Sequence, residues 1–264
     1  MPRFSALLLL FFLPVFGFGQ TAQTSPVNAF LTATIVTLGL VTLALVALAP
    51  DGTATPASRT EQELNFSEFD SIDIHNGVRM LVTQGPVFRV AVKGTPAGIN
   101  RLAVQQTGRT LRAYHRFGFW FRFREVTLLV TVPELRAVEA SGACLVQISG
   151  FENGRALDLE ATGATVIKFS GQAERLRAEA TGASRINLTG QCEHLDAKVV
   201  GASSFDAFEL QAQTAHVECV GASNAHVLVA RELSAEAVGA SSIRYQGNPA
   251  LRADSVGASS ITHV

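Results

Sequence analysis

Charge is scarce in this chain. Only 16% of its 264 residues are charged, Lys+Arg 21 against Asp+Glu 22 for a formal net charge of -1, and lysine stands only at Lys93, Lys168 and Lys198. With a pI near 6.6 there is no positive field to draw a polyanion, so a nucleic-acid partner lacks its electrostatic footprint. Cysteine is equally sparse. Cys144, Cys192 and Cys219 are an odd set, so at least one thiol stays free and no disulfide framework is predicted. Between Phe4 and Pro50 charge is missing altogether. Part of the positive mean hydropathy therefore belongs to targeting or membrane segments and not to a core.

Residues 1–20 read as a signal peptide: Arg3 precedes the apolar run Phe4 to Phe18, and Gly17 and Gly19 offer small residues for a peptidase. A second uncharged stretch covers residues 27–49. At 1.5 Å per residue it would reach about 34 Å as a helix, enough to cross a hydrocarbon core. Thr32, Thr34, Thr37 and Thr42 weaken that reading, and an interfacial helix is the alternative. Arg3 and Arg59 are the only cations near either end, too few to orient the segment. Residues 50–63, with the polar stretch DGTATPASR, read as a linker. These segments imply export to the periplasm, outer membrane or cell surface, with membrane attachment through them.

The strongest signal is self-similarity. Gly-Ala recurs at Gly142, Gly163, Gly182, Gly201, Gly221, Gly239 and Gly257, at intervals of 18 to 21 residues. Within each unit apolar residues alternate with polar ones, as in Leu176-Arg177-Ala178-Glu179-Ala180, which marks strands. A repeat of this length built from strands predicts an all-β, single-stranded β-helix, a β-solenoid with about 18–21 residues per coil, repeating from about residue 139. Stacked, the units give inward columns: Val146, Ile167, Ile186, Phe205, Ala225, Ile243, Ile261, and Leu157, Leu176, Leu195, Leu233, Leu251. The small residues from Ala140 to Ala237, and the Gly-Ala alanines from Ala143 to Ala258, are expected to point inward between them. Coils about 4.8 Å apart leave little room beside the glycines, which are expected at corners, with Gly150, Gly171 and Gly190 marking a second corner.

Residues 64–138 lack the Gly-Ala period but still alternate. Phe69 to His75 leads into Asn76-Gly77, a hairpin-type turn, and then Val78 to Val82; Val126 to Val132 forms a further strand closed by Pro133. This block is expected to supply longer first coils and to close one end of the solenoid. The order IDIHNGVRMLVTQG, then VTLLVTVPEL, then repeated GAS units resembles the putative auto-transporter adhesin head GIN domain family, over about residues 64–264. The resemblance implies a β-helical domain behind an export segment, an adhesin-like binding role and no transferable catalytic motif. The chain departs from lipoprotein members in having no cysteine near its signal.

Candidate chemistry is thin. Glu139, Glu160, Glu179, Glu218, Glu236 and Asp254 form an acidic column interrupted by Lys198, expected to be a solvated face with Arg155, Arg175, Arg177 and Arg252 nearby, since the repeat lacks a calcium-binding pattern. The hydroxyl column from Thr165 to Ser259 is expected to hydrogen-bond at the turn after Gly-Ala. No histidine and acid recur beside a unique serine, so no catalytic, metal or cofactor site is assigned and the chain is read as a non-enzyme. A groove lined by three or more non-repeating Asp, Glu, Arg or Lys would favour the alternative, a carbohydrate-active β-helix enzyme. A purely structural envelope scaffold is the third reading.

The one local anomaly is residues 117–124, FGFWFRFR. Phe117, Phe119, Trp120, Phe121, Arg122, Phe123 and Arg124 place five aromatics, including the only Trp, beside two arginines. Such a strand suits a contact surface for a glycan or surface protein, and equally a plug over an open solenoid end. Replacing Trp120 and Phe121 with Ser separates the two. A contact surface loses binding at unchanged melting temperature, whereas a plug loses stability.

Overall fold

The computed structural model describes residues 59–116 and 126–264. Both N-terminal apolar segments and the aromatic stretch 117–124 lie outside them, and among the described residues no helix is long and apolar enough to cross a membrane. The elements in chain order are β1 (Thr60–Leu64), β2 (Ser71–His75), β3 (Arg79–Gln84), β4 (Arg89–Gly94), the one-turn helix α1 (Pro96–Ile99), β5 (Leu102–Thr107), β6 (Thr110–His115), β7 (Val126–Val132) and β8 (Ala137–Ser141). Five long strands follow: β9 (Leu145–Gly163), β10 (Val166–Gly182), β11 (Arg185–Gly201), β12 (Ser204–Gly221) and β13 (Asn224–Gly239). The last are β14 (Ser242–Gln246), β15 (Ala250–Gly257) and β16 (Ser260–His263).

Together they make a β-solenoid. Each long strand starts on one wall, bends near its middle and ends on the other, so successive strands pair in parallel along almost their whole length. The first wall holds β5, β6, β2 and β8, then the second halves of β9 to β13, then β15. The second wall holds β1, β4, β7 and β3, then the first halves of β9 to β13, then β14 and β16.

The inward columns follow the alternation. Ile167 pairs with Val146 and Ile186, and Leu176 with Leu157 and Leu195. From Val146 to Ile243 the first column is buried, as is the second from Leu157 to Leu233. Each buried Ile or Leu contributes on the order of 1.5–3 kcal/mol by removal from water, so the stacked columns supply the core. The small residues Ala140, Ala161, Ala180, Val199, Cys219 and Ala237 are buried between them.

The Gly-Ala alanines are a correction. Ala143, Ala164, Ala183, Ala202, Ala222 and Ala240 are exposed, and the hydroxyl residue after each is the one that turns inward. The left-handed glycine shifts the alternation by one at the corner. Gly182 has φ +88°, and a Cβ built there would sit 3.0 Å from the Gly163 carbonyl oxygen. At the second corner the crowding is tighter still: at Gly190 (φ +119°) a Cβ would overlap the Gly171 carbonyl.

The block before the repeats differs from expectation in two ways. Asn76 (φ 60°) and Gly77 (φ 76°) adopt the left-handed pair expected of a hairpin turn. Yet β2 and β3 do not pair with each other, because the turn is a solenoid corner carrying the chain from one wall to the other. Moreover, the coils are not stacked in chain order: β2 lies between β6 and β8, and β3 between β7 and β9. From the inner coil made by β2 and β3 the chain runs out to the end. There β4 and β5 reverse direction and pair antiparallel with β7 and β6, and β1 adds antiparallel to β4. It then returns through β6 and β7 and steps over its own first coil to β8.

Asp70 fastens that crossing. Its carboxylate takes hydrogen bonds at 3.0 and 2.8 Å from Arg109, just before β6, and Arg136, just before β8, lies 3.3 Å away. Its backbone repeats the link, donating to the Arg109 carbonyl and accepting from the Arg136 N–H. The Arg109 hydrogen bond holds this buried carboxyl below its usual range, against the opposing effect of burial.

Two stability outcomes follow from this architecture. Gly182→Val is expected to cost at least about 2 kcal/mol, from a β-branched residue forced to positive φ against a carbonyl. Asn187→Ala should be near neutral because the Asn187 Oδ1 is buried without a partner; thermal unfolding of the pair checks both. Asp70→Asn is expected to lose about 1–3 kcal/mol at neutral pH. A carboxyl lowered in the folded state stabilises above its ordinary range and loses that contribution as pH falls through the lowered value. The gap from wild type should therefore close on acidification in a denaturant series.

Candidate binding surface

The aromatic residues Phe117 to Arg124 lie outside the described residues, but the strands that they join are described. β6 ends beside β2 and β7 begins beside β3, at the corner that Asn76-Gly77 and Gly142-Ala143 turn in the neighbouring coils. Beside that corner, Tyr114, His75 and Ser141 stand in register on the outer face.

Here the fold gathers residues that the sequence kept apart. His75 Nδ1 lies 2.5 Å from Ser141 Oγ, and Nε2 lies 2.6 Å from Asp73 Oδ1. Arg112 Nε is 3.1 Å from Asp73 Oδ2. Asp, His and Ser are the residue types of a nucleophilic triad, but the geometry is not that of a relay. Asp73 Oδ1 is close to the ring nitrogen yet accepts no hydrogen bond, so the carboxylate does not lie on the N–H axis as an orienting acid must. The cluster pins β2 to β8. Sequence reasoning missed it because Ser141 lies 66 residues from His75 and meets it only through the crossed coil order.

The hydroxyl column is structural, as expected. Thr165, Ser184, Ser203, Ser223 and Ser241 are buried, and each donates to the carbonyl three residues back, at 2.9 to 3.3 Å. Ser223 and Ser241 also bond to carbonyls of an earlier coil, Val199 and Cys219, at 3.0 and 3.1 Å. Cys144 occupies the same position, its thiol donating to the Ser141 carbonyl at 3.2 Å. All three cysteines are buried and free. Burial pushes the Cys192 thiol up to about 12 and Cys219 to about 11, so neither supplies a thiolate nucleophile.

The acidic column stands in register from Glu139 to Asp254, with Lys198 between Glu179 and Glu218. Lys198 Nζ lies 3.4 Å from the Glu218 carboxylate, both partly exposed, a pair worth little in water. Among the described residues no three His, Cys, Asp or Glu side chains converge to hold a metal ion.

Among the described residues, two grooves lie on the flank where the long strands bend. One groove of about 230 Å³ is lined by Gln172, Gln191 and Gln211, which stack in register, with Glu174 and Glu193 beside them. A second, of about 330 Å³, is lined by another register column, Arg175, His194, Thr214 and Glu232, and by Asp196 and His216. His194 Nδ1 and Thr214 Oγ1 are 2.8 Å apart. The grooves adjoin, since Glu174 and Glu193 of the first precede Arg175 and His194 of the second along the chain. Together they display amide, carboxylate, imidazole and hydroxyl groups at the coil spacing of about 4.8 Å.

Arg175, Asp196 and Glu232 meet the residue count that would favour an enzyme. Asp196 pairs with His216 and His216 with Ser234, so Glu232 stands two coils and two residues away, about 12 Å between backbones at sheet spacings. Paired glycosidase carboxylates work at about 5–9.5 Å between their carboxyl groups, a span that side chains on backbones so placed can reach.

The fold has solved counterparts. A putative adhesin of Bacteroides fragilis superposes with a TM-score of 0.70 at 19% identity, covering 78% of this chain and 97% of that one. A putative adhesin of Parabacteroides merdae gives 0.63 at 17%, covering 79% and 97%. A protein of Parabacteroides distasonis described as a putative lipid binding protein gives 0.65 at 18%, covering 79% and 98%. At such identities the likeness establishes the fold alone. No curated protein matches the sequence. The model of one family matches residues 68–249, from just before β2 to just before β15, and the chain accordingly belongs to the family described as putative auto-transporter adhesin, head GIN domain.

Proposed function

We propose that this chain is a non-enzymatic domain of the cell envelope or surface that binds glycan along the flank of its solenoid. The observation that carries the proposal is the pair of adjoining polar grooves, in which Gln172-Gln191-Gln211 and Arg175-His194-Thr214-Glu232 form parallel ladders. Polar groups repeated every 4.8 Å along an open groove suit an extended, hydroxyl-rich chain, which can accept and donate at each step. The adhesin description of the family supports a binding role in general terms. The uncharged N-terminal segments support export, with the domain outside the cytoplasm.

The second reading, a polysaccharide-cleaving enzyme, draws on Arg175, Asp196 and Glu232 and makes a different prediction for the same ligand. Screened against an array of neutral and acidic glycans, the chain should retain at least one class. Replacing Gln191 and His194 with Ala should weaken that binding by at least about tenfold at unchanged melting temperature, the loss of one or two hydrogen bonds to ligand. No reducing ends should appear on prolonged incubation. Release of reducing ends, abolished by Asp196→Asn or Glu232→Gln, would replace the binding reading with the enzymatic one. Absence of any glycan binding would remove both.

A further inference from the structure

The two ends of the solenoid are built differently. At one end β1, β4 and β5 turn antiparallel and cover the inner coils. At the other, β15 pairs only with β13 and β16 only with β14, which leaves two strand edges side by side. Every residue of β15 is exposed. Leu251 continues a column whose members Leu176 and Leu233 are 0% and 1% exposed, yet it is itself 43% exposed. Of the exposed large hydrophobics among the described residues, Val238, Leu251, Val256 and Val264 all lie here, and only Val87 lies elsewhere. Within β15 and β16 there is no proline, lysine or bulge of the kind that guards a free strand, although Pro249 precedes β15 and Arg252 and Asp254 are charged.

We propose that this coil is a self-association surface, on which a second copy of the chain docks end to end about a two-fold axis, β15 pairing antiparallel with β15 and β16 with β16. The argument for a second copy is the charge pattern of β15, ALRADSVG. On its outward face Arg252 and Asp254 are two residues apart. An antiparallel pairing centred on Ala253 sets Arg252 against the partner subunit's Asp254 and Asp254 against the partner subunit's Arg252. It also sets Val256 against the partner subunit's Ala250. Moving the centre by one residue in either direction would oppose Arg to Arg or Asp to Asp, so charge selects a single register. A head-to-tail contact lacks this match: β5, LAVQQT, offers no charged partner. The two-fold contact closes on itself and ends at a dimer, whereas head-to-tail stacking would propagate.

The test uses the full chain in mild detergent. Sedimentation should show a concentration-dependent dimer, and Ala253→Cys should cross-link to itself on mild oxidation, since the native thiols are buried. Arg252→Asp alone opposes two acidic pairs and should weaken the dimer by at least about tenfold. Adding Asp254→Arg to it recreates the match in mirror order and should restore the dimer. Both side chains are exposed, so melting temperatures should stay together, and a variant that melts early is replaced in the comparison by its double swap. A monomer at all concentrations, an open-ended polymer, or a double swap that fails to restore association would each overturn the proposal.

Discussion

Parallel, in-register stacking of coils is the constraint on which the rest of the molecule depends. From Val166 to Gly182 every residue but Gln172 and Glu174 has its counterpart about 4.8 Å above and below, so a side chain must suit its own kind. Ile on Ile and Leu on Leu pack without adjustment, and a serine hydroxyl bonds to a carbonyl of its own coil and reaches another. Glycine is required where backbone meets backbone. At Gly182 (φ +88°) the neighbouring coil's carbonyl crowds any side chain. Along the repeats charge stays outside, where water screens Glu139 from Glu160 and Lys198 interrupts the column.

The same rule makes ends difficult, because a coil without a neighbour exposes both its ladder groups and its inward column. One end is solved by reversing direction: antiparallel β4 and β5 cover the coil made by β6 and β7, and their hydrogen-bond pattern differs from that of the parallel stack. This requires β2 and β3 to form an inner coil that the chain later steps across. Asp70 holds the crossing by binding the approaches to β6 and β8 at once. Its burial would be costly without Arg109 and Arg136, and with them it fixes which strands may be neighbours.

Much of this was legible in the sequence, because a repeated constraint leaves a repeated trace. The Gly-Ala period, the Ile and Leu columns and the hydroxyl ladder can be read from spacing, since each coil states them again. The Gly-Ala alanines were placed on the wrong side because alternation was carried through a corner that a left-handed glycine interrupts. The crossed order of the first coils was not legible, since Asn76-Gly77 has the same local chemistry in a hairpin as at a solenoid corner. Nor was the flank groove. Its ladder, Arg175, His194, Thr214 and Glu232, contains four unlike residues, and only the register shows that they share a column.

That dissimilarity bears on function. Where a column repeats one residue type that packs or bonds with itself, as the hydroxyl column does, stacking is a sufficient reason for it, and the acidic column is a solvated face. Where the residues of a column differ, stacking cannot be what set them. Arg175, His194, Thr214 and Glu232 gain little from one another beyond the His194–Thr214 contact, and they line a groove instead of the core. Asp73, His75 and Ser141 are equally unrepeated, but their mutual contacts at the crossed coils account for them. The flank column has no such account within the fold. On the proposed reading it meets a ligand that lies along several coils at once, which is why an extended ligand suits it better than a small molecule held at one point.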